Sequence, residues 1–252
     1  MTKMLLIGCG KMGGAILAGL LAKELPWHFQ IFDPHLDANS PFLSYDHVKQ
    51  IENLGEARDS DAILLAVKPQ IMEDVLADLA ASSLEKALVI SIAAGKTLAS
   101  FKKALPRQAA IIRAMPNTPG SIGQGITAAI ADRELTAPHV KIATEVLEAL
   151  GKLIWISDEG QMDAITALSG SGPAYLFHLC EAMAAAGEKM GLPEDMAMTF
   201  ARETIIGSAL LMQASDQSAS ALREMVTSPG GTTQAALDVL REGEALRVLF
   251  EK

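Results

Sequence analysis

A glycine-rich turn near the amino terminus is the segment of this sequence whose spacing points most directly to chemistry. Gly8-Cys9-Gly10-Lys11-Met12-Gly13 forms a G-x-G-x-x-G pattern between an apolar, strand-like run and a helix-like run. In such a strand–turn–helix the first glycine permits the tight turn, the second lets backbone approach a pyrophosphate, and the third lets helix and strand pack closely. The six residues therefore predict a dinucleotide-binding turn, and a purely structural turn is the alternative.

Asp33 ends the second predicted strand, about 20 residues beyond the glycine turn, where a carboxylate can bond the hydroxyls of the adenosine ribose. A carboxylate at this position also repels a 2′-phosphate, so Asp33 favours NADH over NADPH. Two alternatives stay open. Asp33 could be a turn residue before Pro34, or His35 could accommodate the phosphate.

Three further turns follow predicted strands, at the end of the sheet where open α/β proteins bind ligands. We therefore expect these turns to face the cofactor, with Asn117 as an amide anchor for cofactor or substrate. Lys68 could equally be solvated, and turn chemistry alone would explain Asn117. The predicted cofactor residues in these turns are Ala66, Val67, Lys68, Pro69, Ala94, Gly95 and Asn117.

A second informative loop, Val226–Ala236, leads into a helix predicted to begin near Thr232. Free backbone N–H groups of Gly231, Thr232 and Thr233 at a helix start would suit a small carboxylate. Pro229, Gly230 and Gly231 would fix the turn and let a ligand approach the backbone. An ordinary helix start with a threonine cap is the alternative.

The elements that must position these residues change in character along the chain. Up to residue 157, short apolar runs alternate with helix-period segments, which predicts a Rossmann-type, doubly wound, mainly parallel sheet. The predicted strands are Met4–Gly8, Phe29–Asp33, Ala62–Val67, Leu88–Ala93, Ile111–Met115, Ile126–Ala131 and Leu153–Ser157. Helix-period segments lie between most of these strands, and examples are Gly14–Lys23, Ile71–Ala81 and Leu98–Leu105.

After Ser157 the sequence predicts helices only. They span Gly160–Leu168, Ala174–Met190, Glu194–Ser215 and Thr233–Lys252. We therefore divide the chain into a dinucleotide-binding domain, 1–157, and an all-helical dimerisation and substrate-binding domain, 158–252. Helices that are apolar on nearly every face must be buried on every face, which predicts a homodimer through this domain. Folding back on the first domain is the alternative.

The composition and net charge of the chain exclude several kinds of binding partner. The net charge of −9 argues against nucleic acid and against an anionic membrane surface. No apolar stretch approaches the roughly 18 residues of a membrane span. Cys9 and Cys180 form no disulfide or metal-ligand pattern, and the amino-terminal apolar run is too short for a signal peptide. We therefore expect a cytoplasmic protein with no metal site, in which Cys9 is packed rather than redox-active.

Taken together, five motifs resemble the pyrroline-5-carboxylate reductase family along nearly the whole chain. They are Gly8–Gly13, Ala66–Pro69, Arg113–Pro119, Leu168–Tyr175 and Val226–Thr233. The resemblance implies a Rossmann domain, a helical dimerisation domain, an active site between them, and reduction of a pyrroline C=N bond to proline.

The resemblance also implies roles for individual residues. Backbone amides of Gly231 and Thr232 would hold the substrate carboxylate, with Ser228 shaping the loop, and the Thr233 hydroxyl would hydrogen-bond the ring nitrogen. Asn53 would join Ala66–Pro69 in the cofactor site. Two features depart from the family: Asp33 stands where NADPH-using members often have serine or an asparagine–arginine pair, and the sequence ends at Lys252, roughly one helix early.

Two other readings stay open. A related reductase or 3-hydroxyacid dehydrogenase would usually need a lysine on the first long helix of the second domain, where this chain offers only Lys189 at the far end. A dinucleotide-sensing protein without catalysis would be expected to lack the loop around Gly231.

Overall fold

The computed structural model describes residues 1–57, 59–81, 87–244 and 248, and these fall into two compact units. The first unit spans Met1–Pro173 and the second begins at Ala174. The first is a layered α/β unit, and the second is helical throughout the residues described.

One eight-stranded sheet of order β3-β2-β1-β4-β5-β6-β7-β8 forms the centre of the first unit. Its strands are β1 (Thr2–Ile7), β2 (Trp27–Phe32), β3 (Val48–Gln50), β4 (Ala62–Leu65), β5 (Leu88–Ser91), β6 (Ala110–Met115), β7 (Gly125–Ala131) and β8 (Gly151–Trp155). Neighbours run parallel from β3 to β6, β7 is antiparallel to β6, and β8 is parallel to β7. The mainly parallel, doubly wound sheet that the sequence predicted is confirmed.

Helices cover both faces of this sheet. α1 (Lys11–Ala22) and α4 (Ala137–Leu147) pack on one face, whereas α2 (Met72–Ala81), α3 (Leu98–Ala104) and α5 (Met162–Ile165) pack on the other. Because both faces are covered, β4 and β5 are buried at every position. Strands buried on both sides read as continuous apolar runs, which is why the sequence identified them.

β3 is the strand that the sequence did not predict. It contains three residues, of which only Val48 is buried. Such a short run gives no alternation that would distinguish a strand from a loop. β3 forms because it pairs with β2, where Val48 lies opposite Phe29, and this long-range pairing leaves no local sequence pattern.

The second unit contains the helices that follow the first unit along the chain. They are α6 (Gly172–Lys189), which begins within the first unit, α7 (Glu194–Ala214), α8 (Ala219–Met225) and α9 (Thr232–Arg241). α6 and α7 approach closely at small residues, since a Cβ on Gly187 would lie 3.1 Å from the Cβ of Ala197. The buried residues of α6 and α7 are themselves small: Ala184, Gly187, Ala197 and Ala201.

Three helical segments differ from the prediction. The predicted helix Thr233–Lys252 begins as expected but ends at Arg241, and Gly243 in the following turn has φ 63°. A left-handed glycine commonly ends a helix, and most of the predicted helix beyond Glu244 lies outside the described residues. The predicted helix Gly160–Leu168 is instead the short α5 followed by a π-turn, Thr166–Gly170. The seven-residue α8 was missed because it is too short to give a clear period.

Candidate active site

The glycine turn lies between β1 and α1, as the sequence predicted, and two of its glycines are required by close contacts. Gly8 has φ 89°, and a Cβ there would lie 2.8 Å from the carbonyl oxygen of Ala66. A Cβ on Gly13 would overlap the carbonyl oxygen of Gly8. These two glycines therefore let α1 pack against the ends of β1 and β4.

Gly10 differs from the other two glycines of the turn. A Cβ on Gly10 would meet no atom within 4 Å, so folding alone does not require glycine there. Gly10 is the N-cap residue of α1 and supplies no side-chain cap. The first N–H groups of α1, at Lys11 and Met12, therefore stay available to an anion, and the open space over Gly10 gives a ligand access to the backbone.

Asp33 lies directly beside this turn. Its Oδ2 accepts a hydrogen bond from the Cys9 N–H at 2.7 Å, and its Oδ1 accepts one from the His35 N–H at 2.9 Å. The carboxylate thus closes the turn after β2 and also reaches the glycine turn.

Cys9 is half-buried within the same turn. Burial, together with the negative charge of Asp33, raises the pKa of the Cys9 thiol to about 11. A thiol with this pKa stays protonated at neutral pH and is a poor nucleophile. Cys9 is therefore suited to packing beside a cofactor rather than to redox chemistry.

The turns after β4, β5 and β6 lie at the same edge of the sheet as the glycine turn, because these strands run parallel to β1. Ala66 and Val67 pack against Gly8, and Lys68 is exposed. Ala94 and Gly95 are exposed, and Gly95 has φ 74°. The edge therefore brings together the predicted cofactor residues of four turns.

Asn117 and Asn53 make local hydrogen bonds. The Asn117 Oδ1 accepts the Ile126 N–H at 2.9 Å, which ties the turn after β6 to β7. The exposed Asn53 donates from Nδ2 to Oε1 of Glu56 at 3.0 Å. Turn chemistry thus accounts for the side-chain oxygen of Asn117, whose Nδ2 group remains a donor for a ligand.

No role was predicted from the sequence for the ion pair beneath these turns, of which the arginine is buried and the glutamate is partly exposed. Arg113 Nη1 in β6 lies 2.8 Å from Oε1 of Glu159, and the Arg113 side chain is 7% exposed. An arginine in the middle of the apolar strand Ala110–Met115 is the signal that could have identified the pair, because a buried charge needs a partner. Nearby, Gly170 of the π-turn leaves room for the Met115 side chain, whose Cε would lie 2.7 Å from an added Cβ.

In the second unit, α9 begins at Thr232 after a tight turn in which Gly230 has φ 72°. One prediction is wrong here: the Gly231 N–H is not free, because it donates to the carbonyl oxygen of Ser228 at 3.0 Å. Within the described residues, the N–H groups of Thr232 and Thr233 have no acceptor, and no side chain caps the helix. Two amides and the Thr233 hydroxyl therefore remain for a ligand at this helix start.

Two features are absent from the described residues. No cluster of three or more His, Cys, Asp or Glu side chains is arranged to hold a metal ion. In the same residues, no helix combines the length and the apolar character that a membrane crossing requires.

A doubly wound sheet with a glycine turn and an acidic residue after β2, followed along the chain by a helical unit, is typical of a dinucleotide-dependent oxidoreductase. The family model described as pyrroline-5-carboxylate reductase dimerisation matches residues 159–252, and the model described as NADP oxidoreductase, coenzyme F420-dependent, matches residues 3–95. A pyrroline-5-carboxylate reductase of Haemophilus influenzae is 40% identical over 92% of this chain and 87% of its own length.

Solved structures give the same result. A pyrroline-5-carboxylate reductase from Coxiella burnetii matches with a TM-score of 0.88 and 36% identity, covering 99% of this chain and 93% of that one. A Plasmodium falciparum pyrroline carboxylate reductase with NADP bound matches with a TM-score of 0.83 and 28% identity, again over 99% and 93%. This chain belongs to the pyrroline-5-carboxylate reductase family, and it is an NAD(P)H-dependent oxidoreductase with a helical dimerisation domain.

Proposed function

We propose that this chain reduces the C=N bond of 1-pyrroline-5-carboxylate to give L-proline, the last step of proline biosynthesis. The observation that carries the proposal is the start of α9, where a glycine turn leaves the amides of Thr232 and Thr233 without acceptors. This arrangement suits a small carboxylate. Membership of the pyrroline-5-carboxylate reductase family supports the reaction. In the balanced reaction, the protonated imine accepts a hydride at carbon, the C=N electron pair moves to nitrogen, and NAD(P)H becomes NAD(P)⁺.

The cofactor residues are assigned from the edge of the sheet. The residues that would hold the pyrophosphate are Gly8, Cys9, Gly10, Lys11, Met12 and Gly13: the open space over Gly10 would admit it, and the N–H groups at the start of α1 would stabilise its charge. Nearer the nicotinamide are Ala66, Val67, Lys68, Pro69, Ala94, Gly95 and Asn117, and Asn53 completes the site. The bound nicotinamide supplies the hydride, and the protein supplies position.

For cofactor preference we propose NADH. The carboxylate of Asp33 is oriented toward the glycine turn by its bond from the Cys9 N–H. From there it can accept hydrogen bonds from ribose hydroxyls, and it would repel the charge of a 2′-phosphate. The Plasmodium relative has NADP bound, so both cofactors have to be compared.

The substrate residues are Ser228, Gly230, Gly231, Thr232 and Thr233. Thr232 and Thr233 hold the carboxylate through their amides, Gly231 contributes by having no side chain, and Ser228 closes the turn through its carbonyl oxygen. The Thr233 hydroxyl orients the ring nitrogen. A protonated imine is already electrophilic, so hydride transfer needs position more than a strong acid.

We further propose that the dinucleotide-binding domain is 1–157, that 158–252 form the helical domain, and that the protein is a cytoplasmic homodimer. β8 ends at Trp155 and the dimerisation model begins at residue 159, which supports this boundary, whereas the first compact unit continues to Pro173 and includes α5, which packs on the sheet. Free cysteines support a reducing compartment.

A turnover assay tests the function. We expect reduction of 1-pyrroline-5-carboxylate with either nicotinamide cofactor, and a higher kcat/KM with NADH. The control substrate is 1-pyrroline, which has the same C=N bond but no carboxylate, and its kcat/KM should be lower by about a hundredfold. No turnover of the carboxylate substrate would refute the function, and equal rates for the two imines would refute the role of the α9 loop.

A further inference from the structure

A single carboxylate joins three segments of the first unit. Oε1 of Glu159 accepts a hydrogen bond from the buried Arg113 guanidinium at 2.8 Å and another from the Leu98 N–H at 2.8 Å. Arg113 lies in β6, Leu98 is the first residue of α3, and Glu159 lies in the turn between β8 and α5. One oxygen atom therefore links these three segments.

Two of these segments lead to turns at the cofactor edge. α3 follows the turn that contains Ala94 and Gly95, and Arg113 lies two residues before the end of β6, where the turn with Asn117 begins. Met115, at the end of β6, packs against Gly170 of the π-turn. Moving Arg113 relative to Leu98 would thus change the spacing between the turns after β5 and β6.

An ion pair that buries one of its charges, as this pair buries Arg113, is seldom needed for stability alone, since well-packed apolar residues often serve as well or better. What charge-assisted hydrogen bonds provide is fixed geometry. The pair also lies under the turns proposed to face the nicotinamide, remote in sequence from the glycine turn and Asp33. Its position suggests a role in geometry at one half of the cofactor site.

We infer that Arg113 and Glu159 are positioning residues, which set the nicotinamide ring by fixing the turns after β5 and β6. This inference rests on the proposed function, in that it takes those two turns as the nicotinamide side of the site. Neither residue is assigned contact with the cofactor, and both act through Leu98 and Met115.

The test compares two ligands that share one half. Glu159→Gln keeps an oxygen that can accept the Leu98 N–H but removes the charge that pairs with Arg113. NADH has the nicotinamide half and ADP-ribose lacks it. We expect the variant to bind ADP-ribose as wild type does, to bind NADH about tenfold more weakly, and to transfer hydride about tenfold to a hundredfold more slowly in single turnover.

Asp132→Asn is the matched control. Asp132 likewise accepts an arginine and a backbone N–H, that of Ile111, but its side chain is 1% exposed where that of Glu159 is 29% exposed, and it lies at the opposite end of β6. The Asp132→Asn substitution should lower the melting temperature without changing the ratio of the dissociation constant for NADH to that for ADP-ribose. A general loss of stability in Glu159→Gln would weaken both ligands equally.

Arg113→Lys provides a second variant, which keeps the positive charge and loses the planar fork. It should shift the same ratio by less than Glu159→Gln does. A wild-type ratio and wild-type hydride transfer in both variants would overturn the inference, as would failure of both to fold. A wild-type protein inactive on pyrroline-5-carboxylate would refute the proposed function instead, because the ligand comparison needs no substrate.

Discussion

The carboxylate of Asp33 accepts two backbone hydrogen bonds, and only one of them reaches the glycine turn. The bond from the His35 N–H belongs to a common turn in which an aspartate accepts from two residues ahead. The bond from the Cys9 N–H crosses to the glycine turn. The sequence shows that an aspartate stands at this position. Only the structure distinguishes its bond within the local turn from its bond to the glycine turn.

Replacing Asp33 with serine should therefore relax discrimination against NADPH. Removing the charge should raise the ratio of kcat/KM for NADPH to that for NADH by about fivefold or more, since two unit charges 4 Å apart in water interact by about 1 kcal/mol. Asp37→Ser is the matched control, because Asp37 makes the same kind of turn bond, to the Asn39 N–H, away from the glycine turn. A strong NADPH preference in wild type would contradict our interpretation of Asp33.

Cys9 should be slow to alkylate. With its thiol pKa raised to about 11 by burial and by Asp33, the thiolate fraction at pH 7.5 is about two orders of magnitude lower than for a free cysteine of pKa about 8.5. Iodoacetamide labelling at pH 7.5, followed by peptide mass spectrometry, measures the rate. The urea-unfolded protein serves as the reference, and equal rates in the folded and unfolded chain would show that the raised pKa is wrong.

At the scale of elements, the most specific prediction from the sequence concerns the start of the helix after Gly231. Thr233→Ala should lower kcat/KM by about tenfold or more, about 1.4 kcal/mol, because it removes the hydroxyl that orients the ring nitrogen. Thr232→Ala is the control and should cost little, since only its backbone amide is used. Gly231→Val should be worse still: its φ of −83° suits valine, but the added Cβ would lie 3.2 Å from the Ser228 carbonyl oxygen, so the loss would combine a shift of the turn with blocking of the ligand.

Cofactor dissociation constants should stay near wild type in all three variants. Full activity in both Thr233→Ala and Gly231→Val would leave the loop as an ordinary helix start.

The carboxylate of Asp132, which accepts a hydrogen bond from the start of β6, should make the stability of the fold depend on pH. Burial acts to raise the pKa of Asp132, but hydrogen bonds from Arg133 and the Ile111 N–H, with the charges of Arg133 and Lys102, hold it below its usual range. Because the folded-state pKa is lower than that of the unfolded chain, the ionised form stabilises the fold above about pH 4 and this contribution is lost as the pH falls.

Asp132→Asn should accordingly lower the melting temperature at pH 7 and make the difference from wild type smaller toward pH 3. Thermal unfolding followed by circular dichroism across this range measures the effect. A difference between the two proteins that stays constant from pH 7 to pH 3 would show that Asp132 is not linked to stability in this way.

The elements that could be predicted from the sequence depend on local residue patterns, whereas those that were missed depend on contacts between residues far apart in the chain. β4 and β5 are continuous apolar runs buried on both faces, so composition alone identifies them. β3 depends on pairing with β2, and the link from Arg113 through Glu159 to Leu98 spans residues far apart in sequence. The glycine turn was predictable because its function depends on six consecutive residues. The hydrogen bond from the Gly231 N–H to Ser228 was not predictable, because it depends on a turn geometry that the sequence does not specify.

At the scale of the whole molecule, the helical unit exposes large apolar side chains in numbers unusual for a surface. Phe177 and Phe200 are 66% and 62% exposed, and the helices that carry them, α6 and α7, bury only small residues. Large apolar patches on a folded protein mark interaction surfaces. The family's dimerisation model covers these helices, so a second copy is the partner that fits them.

The protein should therefore be a dimer of 26.6 kDa subunits at micromolar concentration, and charging this surface should separate them. Phe200→Glu should weaken the dimer by about 3 kcal/mol, about a hundredfold in dissociation constant, because a buried phenylalanine contributes about that much. Ile122→Glu is the matched control, since Ile122 is 75% exposed in the first unit, and it should leave the mass unchanged. Light scattering coupled to size-exclusion chromatography measures each mass. A monodisperse wild-type monomer would contradict the shared helical surface and require α6 and α7 to be covered by their own chain.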